Sequence, residues 1–211
     1  MIDVILCDDH ALIRRGIRET LSEAADMRVV GEAGDYGELR SQMRGTHCDV
    51  LLLDINLPGR SGLDMLHALK DEGSPVKVLV VSMYPEDQYA IRALRGGAYG
   101  YVNKGGDPQV IVQAVRTVAQ GRKYVTPEIA QMLVESLTAP APEQPHQRLS
   151  DRELQTLLMI ASGKRLSDIA SELMLSPKTV SVYRARVLEK LGLANNSELT
   201  VYAIRNGLVG E

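Results

Sequence analysis

The chain has 211 residues, enough for one or two domains, and 45% of them are apolar, which permits a buried core. It has no uninterrupted apolar run of about 18 residues, so we expect no membrane span. Residues 1–4 lack the basic and apolar regions of a signal peptide, so we expect a cytoplasmic protein. The net charge of −3 excludes nucleic-acid binding through bulk charge, so any such role must depend on locally placed Arg and Lys.

Short apolar runs alternate with helical patterns throughout residues 1–120. The runs lie at 4–7, 29–33, 50–53, 76–81 and 98–102. Helical patterns follow them after Asp9 and near 36–44, 63–69, 86–95 and 108–119. Five such βα units predict a doubly wound, five-stranded parallel sheet. A disulfide between Cys7 and Cys48 is conceivable, but an unexported chain favours two buried thiols.

The second part of the chain is all helical. Thr126-Pro127 predicts a short helix to about residue 137, and the proline-rich residues 138–148 are typical of a semi-extended linker. Four short helices follow. The first begins at a capping box, Ser150 to Glu153, and the fourth begins at Ser197. The tight turn between the second and third predicts a helix-turn-helix. We therefore divide the chain into domains at 1–120 and 149–211, joined by a linker with a short helix at 121–148.

Polar side chains follow four of the predicted strands. Asp8 and Asp9 follow the first strand, Asp54 the third, Ser82 the fourth and Lys104 the fifth. The carboxyl ends of parallel strands lie at one edge of a sheet, where ligands bind. Three carboxylates repel one another unless a cation lies among them, and oxygen ligands beside a lysine suit Mg²⁺ and a phosphoryl group. Each residue alone fits a turn former, a cap or a loop lysine, but the joint pattern favours a site.

The type of chemistry follows from these groups. Asp54 is the candidate nucleophile, because a carboxylate can attack phosphorus in line and form an acyl phosphate when its charge is compensated. We expect Asp9, and Asp8 directly or through water, to hold Mg²⁺ together with Asp54 and the backbone carbonyl of Asn56.

Three further residues would respond to the phosphoryl group. We expect Lys104 to pair with one of its oxygens as a point charge and the Ser82 hydroxyl to hydrogen-bond to another. Tyr101, three residues before Lys104, would swing inward when Ser82 is drawn toward the phosphoryl group. On its own, Tyr101 is more typical of a core residue.

Residues 177–191 are the candidate recognition helix. Its apolar residues recur at helical spacing and predict a buried face, and its first turn lies where such a helix meets DNA. Side chains on the other faces would reach phosphates, a guanine edge or a thymine methyl. The candidate DNA contacts are Lys178, Thr179, Ser181, Val182, Arg184 and Arg186. On an isolated helix they would indicate a solvated face, but the four-helix context favours DNA.

Two stretches resemble known families. Residues 1–120 resemble the receiver domain of bacterial two-component response regulators, through Asp8-Asp9, residues 54–59, Ser82, residues 97–101 and Lys104. Residues 149–207 resemble the LuxR-type helix-turn-helix of the NarL/FixJ family, through residues 149–153, 168–170, 175–180, 189–192 and 198–199. Residues 175–191 are also similar to GacA/UvrY-type members of that family.

The resemblance implies a function. A sensor histidine kinase would phosphorylate Asp54, and phosphorylation would alter homodimerisation and binding to double-stranded promoter DNA. The protein would then be a regulator rather than an enzyme, with Mg²⁺ as its cofactor and no membrane partner. In one departure from the family, Arg165 replaces the usual small hydroxyl residue, so we expect the helix after it to have no side-chain cap.

Two alternatives share the carboxylate pattern. A Mg²⁺-dependent phosphatase with an aspartyl-phosphate intermediate would use the same nucleophile and metal, but Asn56 stands where its second acid/base Asp would be, and no cap region is apparent. A pseudo-receiver would bind a partner without phosphorylation. The complete set of acidic, hydroxyl and lysine residues argues against it.

Overall fold

The computed structural model describes residues 1–138 and 144–209. The chain divides into two compact units, Met1–Thr138 and Ala139–Glu211. Among the helices of these described ranges, none has the length and apolar character needed to cross a membrane. The part of the predicted linker at 139–143 lies outside the described residues.

The first unit alternates strands and helices. Its strands are β1 (Ile2–Cys7), β2 (Met27–Ala33), β3 (Val50–Leu53), β4 (Lys77–Ser82) and β5 (Gly100–Asn103). Its helices are α1 (Ala11–Ser22), α2 (Tyr36–Gly45), α3 (Gly62–Asp71), α4 (Glu86–Gly96), α5 (Pro108–Ala119) and α6 (Pro127–Thr138). Every predicted element is present, and the ends differ by about two residues, as expected at frayed termini.

The five strands form one parallel sheet in the order β2-β1-β3-β4-β5. Helices cover both faces, which explains why the strands are continuous apolar runs rather than alternating ones. Alternate residues of the central strands pack on one face with α1 and α5: Val4, Leu6, Val50, Leu52, Leu79 and Val81. The order reverses between β1 and β3, and the predicted doubly wound, flavodoxin-like sheet is confirmed.

Both cysteines are free thiols, as the sequence favoured. Cys7 is the buried last residue of β1, and Cys48 precedes β3 and donates to the Val50 carbonyl at 3.1 Å. Burial raises the pKa of Cys7 to about 12 and that of Cys48 to about 11. Both thiols therefore stay protonated at neutral pH, and protonated thiols are poor nucleophiles.

The helix α6 packs within the first unit, against α4. The chain before it runs beside β5, where Gly100 and Tyr124 form a parallel bridge. The Thr126 hydroxyl donates to Glu86 Oε2 at the start of α4 (2.7 Å), and Ile129 is fully buried. We assigned this helix to the linker from its sequence alone, whereas its buried isoleucine and its hydrogen bond tie it to the sheet unit.

The second unit is helical in its described part. It begins with a short 3₁₀ helix (Pro145–Arg148), followed by α7 (Asp151–Ala161), α8 (Leu166–Glu172), α9 (Pro177–Leu191) and α10 (Asn196–Arg205). The expectation of semi-extended chain is wrong for 145–148, because Pro145 occupies the first turn of the 3₁₀ helix. The helices α8, α9 and α10 all pack against α7.

Side-chain caps mark the starts of α7, α9 and α10. Ser150 and Glu153 form the predicted capping box, and Ser176 Oγ accepts from the Thr179 N–H at 3.0 Å. As expected, Arg165 makes no side-chain cap for α8. The start of α10 differs from prediction, because the Asn195 side chain accepts from the Glu198 N–H and places Ser197 inside the first turn.

Candidate functional site

Hydrogen bonds between neighbouring strands continue one residue beyond the strand ends. Three N–H groups just after strands donate to carbonyls at the ends of adjacent strands: Asp8 to Ala33 (3.0 Å), Asp54 to Cys7 (2.9 Å) and Lys104 to Ser82 (2.8 Å). The backbone therefore fixes all three residues at the same edge of the sheet. The geometric basis of the predicted site is present in the structure.

The Lys104 ammonium lies between two carboxylates. Its Nζ is 2.6 Å from Asp8 Oδ2 and 2.8 Å from Asp54 Oδ2, and each of the three side chains is at most 5% exposed. Ion pairs at this depth are little screened by solvent. One lysine compensates two acids, so the buried group carries excess negative charge when both acids are ionised.

The Asp54 carboxyl has a raised pKa. Burial is the main cause, and the Asp8 carboxylate adds to it, while Lys104 and the Asn56 N–H act in the opposite direction. Ionised Asp54 is therefore held at a cost that a bound cation would relieve. The Asn56 N–H donates a hydrogen bond to the Asp54 carboxylate, a role that the sequence did not suggest.

Oxygen ligands for a cation converge here. Ligand atoms of Asp8, Asp9, Asp54 and His10 all lie within 4.8 Å of one another. Asp8 Oδ2 lies 2.6 Å from Lys104 Nζ and Asp9 Oδ1 lies 2.8 Å from His10 Nδ1, but in the described structure neither oxygen accepts a well-aligned hydrogen bond. Buried carboxylate oxygens with unused lone pairs are hard ligands, so this acidic pocket is compatible with Mg²⁺.

The backbone of Tyr84 connects Ser82 to β5. The Tyr84 N–H donates to Ser82 Oγ (3.2 Å), and its carbonyl accepts from the Tyr101 hydroxyl (2.7 Å) and from Asn103 Nδ2 (3.1 Å). Ser82 and Tyr101 are thus brought together by the β4–α4 loop. We expected Tyr101 to swing inward in response to the phosphoryl group, but its ring is already fully buried. Burial raises its pKa, so its hydroxyl is a donor at neutral pH.

Two residues near Asp54 were not identified as site residues from the sequence. Gly62 opens α3 so close to the Asp54 loop that a Cβ would lie 1.9 Å from the Asp54 carbonyl oxygen, which excludes every other residue there. Arg14 on α1 donates from Nη1 to the Asp8 carbonyl. The Ser61-Gly62 pair at a helix start was a usable signal for the glycine, whereas one arginine among the several of α1 was not.

The helix α9 exposes most of the predicted DNA contacts. Lys178, Val182 and Arg186 are exposed and recur every four residues, which places them in one stripe. Of the four apolar residues predicted to face the core, Val180, Val187 and Leu188 are buried, and Leu191 is half-buried.

The other three candidates have local hydrogen bonds. Ser181 is exposed and donates to the Pro177 carbonyl, and the Thr179 hydroxyl lies 2.8 Å from Ser176 Oγ. Arg184 is half-buried, and its Nε donates to Asn196 Oδ1 at the start of α10 (2.5 Å). Arg184 therefore does not belong to the exposed stripe, although it lies on the same helix as Arg186.

Two family models match the chain. Residues 4–116 match the response regulator receiver domain, and residues 147–203 match the bacterial regulatory proteins of the luxR family. Response regulator UvrY of Escherichia coli O157:H7 is 39% identical over 209 residues, covering 99% of this chain and 96% of its own. Response regulator GacA of Pseudomonas protegens is also 39% identical over 209 residues, covering 99% and 98%.

Solved structures agree with this assignment. The RcsB response regulator of Salmonella typhimurium has a TM-score of 0.59 at 29% identity, covering 96% of this chain and 98% of its own. RcsB of Salmonella enterica serovar Typhimurium bound to promoter rprA in the presence of phosphomimetic BeF3⁻ has a TM-score of 0.65 at 27% identity, covering 95% and 97%. The chain therefore belongs to the two-component response regulators that join a receiver domain to a LuxR-family helix-turn-helix domain and regulate transcription by binding DNA.

Proposed function

We propose that Asp54 is the phosphoacceptor of this response regulator. The observation that carries the proposal is the buried Lys104 ammonium within ion-pair distance of both Asp8 and Asp54, at the carboxyl edge of the sheet. This arrangement provides a nucleophilic carboxylate and, beside it, a cation for the oxygens of an incoming phosphoryl group.

The donor is the phosphorylated histidine of a sensor kinase. An Asp54 carboxylate oxygen attacks phosphorus, the new O–P bond forms as the P–N bond breaks, and the leaving imidazole nitrogen takes up a proton from solvent. Lys104 moves its pairing from the Asp54 carboxylate to a phosphoryl oxygen. The Ser82 hydroxyl donates to a second phosphoryl oxygen, which draws in the β4–α4 loop through the Tyr84 N–H.

Asp8, Asp9 and Asp54 would hold Mg²⁺, with the Asn56 carbonyl as a further oxygen ligand. When bound, Mg²⁺ supplies positive charge that offsets the carboxylates and the transferred phosphoryl group. The excess negative charge of the pocket and the raised pKa of Asp54 support this donor set.

Phosphorylation then acts on DNA binding. It places a phosphoryl group with roughly two negative charges where the Asp54 carboxylate carried one, and Ser82 and Tyr101 share the Tyr84 backbone that would respond. We propose that the phosphorylated chain forms a homodimer in the cytoplasm and binds two half-sites of promoter DNA. In the exposed stripe of α9, Lys178 and Val182 would contact base edges and Arg186 a phosphate, with Thr179, Ser181 and Arg184 beside it contacting the backbone.

The test of the phosphoacceptor is intact mass after incubation with acetyl phosphate and Mg²⁺. We expect one added phosphoryl group on the wild type and none on Asp54→Ala. Loss of the mass increase on mild alkaline treatment would identify an acyl phosphate. An adduct that persists on Asp54→Ala would contradict the assignment, and sustained hydrolysis of a phosphomonoester by the wild type would favour the phosphatase alternative.

A further inference from the structure

The loop that carries Asp8 and Asp9 is held from both sides. Its Asp8 N–H donates to the Ala33 carbonyl at the end of β2 (3.0 Å), and its Asp8 carbonyl accepts from Arg14 Nη1 on α1. The Asp8 carboxylate in turn accepts from the His10 N–H at 2.8 Å. The direction in which this carboxylate points therefore depends on the backbone that Arg14 contacts.

Arg14 is itself fixed by an ion pair on its outer side. Its Nε lies 3.0 Å from Glu32 Oε2 on β2, and its side chain is 21% exposed. The same Glu32 accepts from Arg18 Nη1 at 3.0 Å through its other oxygen. The guanidinium thus bridges α1, β2 and the loop, and it shares with Asp8 and Asp54 the lining of a small cavity of about 10 Å³.

The charge of Arg14 is directed away from the cation ligands. It bonds a carbonyl and Glu32, so it leaves the oxygens of Asp8, Asp9 and Asp54 available, in contrast to Lys104, which pairs with two of them. Three carboxylates within 4.8 Å repel one another, and a loop free to move would separate them. A donor that holds the loop backbone opposes that separation.

We propose that Arg14 is a positioning residue for the divalent cation, holding the Asp8 backbone so that its carboxylate and that of Asp9 face Asp54. This inference rests on the proposed function of the Asp54 site. Outer contacts of this kind typically change metal affinity by about 10–100-fold, because they determine how well the ligands are preorganised. We expect Arg14→Met to raise the Mg²⁺ dissociation constant about tenfold.

The experiment compares the full-length wild type with Arg14→Met and Arg18→Met. Arg18→Met is the matched control, since it removes the other arginine on Glu32 without touching Asp8. Mg²⁺ affinity is measured from the rise in melting temperature over a Mg²⁺ series, which tests binding independently of phosphorylation. In parallel, the rate of phosphorylation by acetyl phosphate is measured against Mg²⁺ concentration.

We expect Arg14→Met to need about tenfold more Mg²⁺ for half its effect in both measurements, with a rate within about twofold of wild type at saturation. Arg18→Met should match the wild type. Equal Mg²⁺ dependence in folded Arg14→Met and Arg18→Met would overturn the positioning role alone. A wild type that takes up neither Mg²⁺ nor a phosphoryl group would overturn the proposed function instead.

A second variant guards against loss of folding. Should Arg14→Met be unfolded by circular dichroism, Glu32→Gln weakens the outer ion pair of Arg14 and keeps the arginine. We expect its Mg²⁺ dissociation constant to rise about threefold, less than the full effect of outer contacts. A Glu32→Gln protein that binds Mg²⁺ as Arg18→Met does would also overturn the proposal.

Discussion

The surroundings of Asp54 shift its pKa in opposite directions, and the sign of the net shift can be measured. Burial and the Asp8 carboxylate raise its pKa above the ordinary value of 3.8, while Lys104 lowers it. An acid with a raised pKa binds its proton more tightly in the folded state than in the unfolded state. Its contribution to stability therefore falls as pH rises from about 3.8 through the folded pKa, and it stays unfavourable above that pH.

We expect Asp54→Asn to raise the melting temperature of the Mg²⁺-free protein at pH 7, because it removes a buried charge while Lys104 remains paired with Asp8. The advantage should shrink as pH falls and vanish near the unfolded pKa, where the wild-type carboxyl is also neutral. Calorimetry in EDTA over a pH series measures it. Asp71→Asn, at the exposed end of α3, controls for the change in net charge. A lower melting temperature for Asp54→Asn at pH 7 would mean that the attraction to Lys104 exceeds the cost of burial.

The residues of the site were unequally predictable. Asp8, Asp54 and Lys104 follow from strand ends, because parallel strands align their carboxyl ends whatever the helices do. The inward position of Tyr101 and the contact of Arg14 depend on rotamers and on loop packing, which no sequence period encodes. The Asn56 N–H was likewise missed, since only the folded loop directs it at Asp54.

The helices α7, α9 and α10 start at side-chain caps, and the Ser150 cap of α7 has further partners. Glu153 Oε2 accepts from the Ser150 N–H and from Lys190 Nζ on α9 (2.8 and 2.6 Å). Although burial opposes ionisation of Glu153, these partners lower its pKa overall. The sequence predicted this capping box because Ser150 and Glu153 are three residues apart, which is the spacing of the motif. The α10 start was misplaced because Asn195 and Ser197 are both good cap residues, and only the observed backbone distinguishes them.

We expect Ser150→Ala to destabilise the helix-turn-helix domain by about 1 kcal/mol, the usual cost of losing a side-chain cap. Urea denaturation of the full chain, followed by circular dichroism at helical wavelengths, gives the free energy of unfolding. Ser162→Ala is the control, because among the described residues that hydroxyl bonds the Leu158 carbonyl alone, at the end of the same helix. Equal effects of the two substitutions would show that the cap adds nothing.

The exposed stripe of α9 predicts a salt-dependent contact. Arg186→Ala should weaken promoter binding and reduce the slope of log affinity against log salt by about 0.9, the value for one lost phosphate contact. Fluorescence anisotropy with labelled promoter DNA at several salt concentrations measures this slope. Arg15→Ala removes the same charge from an exposed site on α1 and should leave the slope unchanged. An unaltered slope for Arg186→Ala would exclude a phosphate contact.

Over the whole chain, the boundary of the first unit falls after α6 rather than after α5. Ile129 and the bond from Thr126 to Glu86 tie α6 to the start of α4, immediately after the Tyr84 backbone that joins Ser82 and Tyr101. The sequence predicted the helix from its cap and proline. It could not predict where the helix packs, because the apolar residues of so short a helix suit several surfaces.

We expect Thr126→Val to loosen α6, because it removes both the bond to Glu86 and the cap on the Ile129 N–H. A cap loss of about 1 kcal/mol corresponds to roughly fivefold faster amide exchange in α6. Hydrogen exchange followed by mass spectrometry reports it peptide by peptide. Thr117→Val should leave α6 unchanged, because in the described structure the Thr117 hydroxyl bonds the Gln113 carbonyl of α5 and nothing in α6. Equal amide protection of α6 in both variants would show that Thr126 does not hold α6 against α4.

Tyrosine rings near Ser82 make the β4–α4 loop observable by near-ultraviolet spectroscopy. The chain has eight Tyr and neither Trp nor Phe, so its near-ultraviolet absorption and emission come from tyrosine. Tyr84 and Tyr89 lie 5.0 Å apart between ring centroids, and the Tyr101 hydroxyl donates to the Tyr84 carbonyl. Any movement of the β4–α4 loop changes the environment of these rings. We therefore expect the near-ultraviolet circular dichroism of the unlabelled protein to change when this loop moves beside the proposed phosphoacceptor.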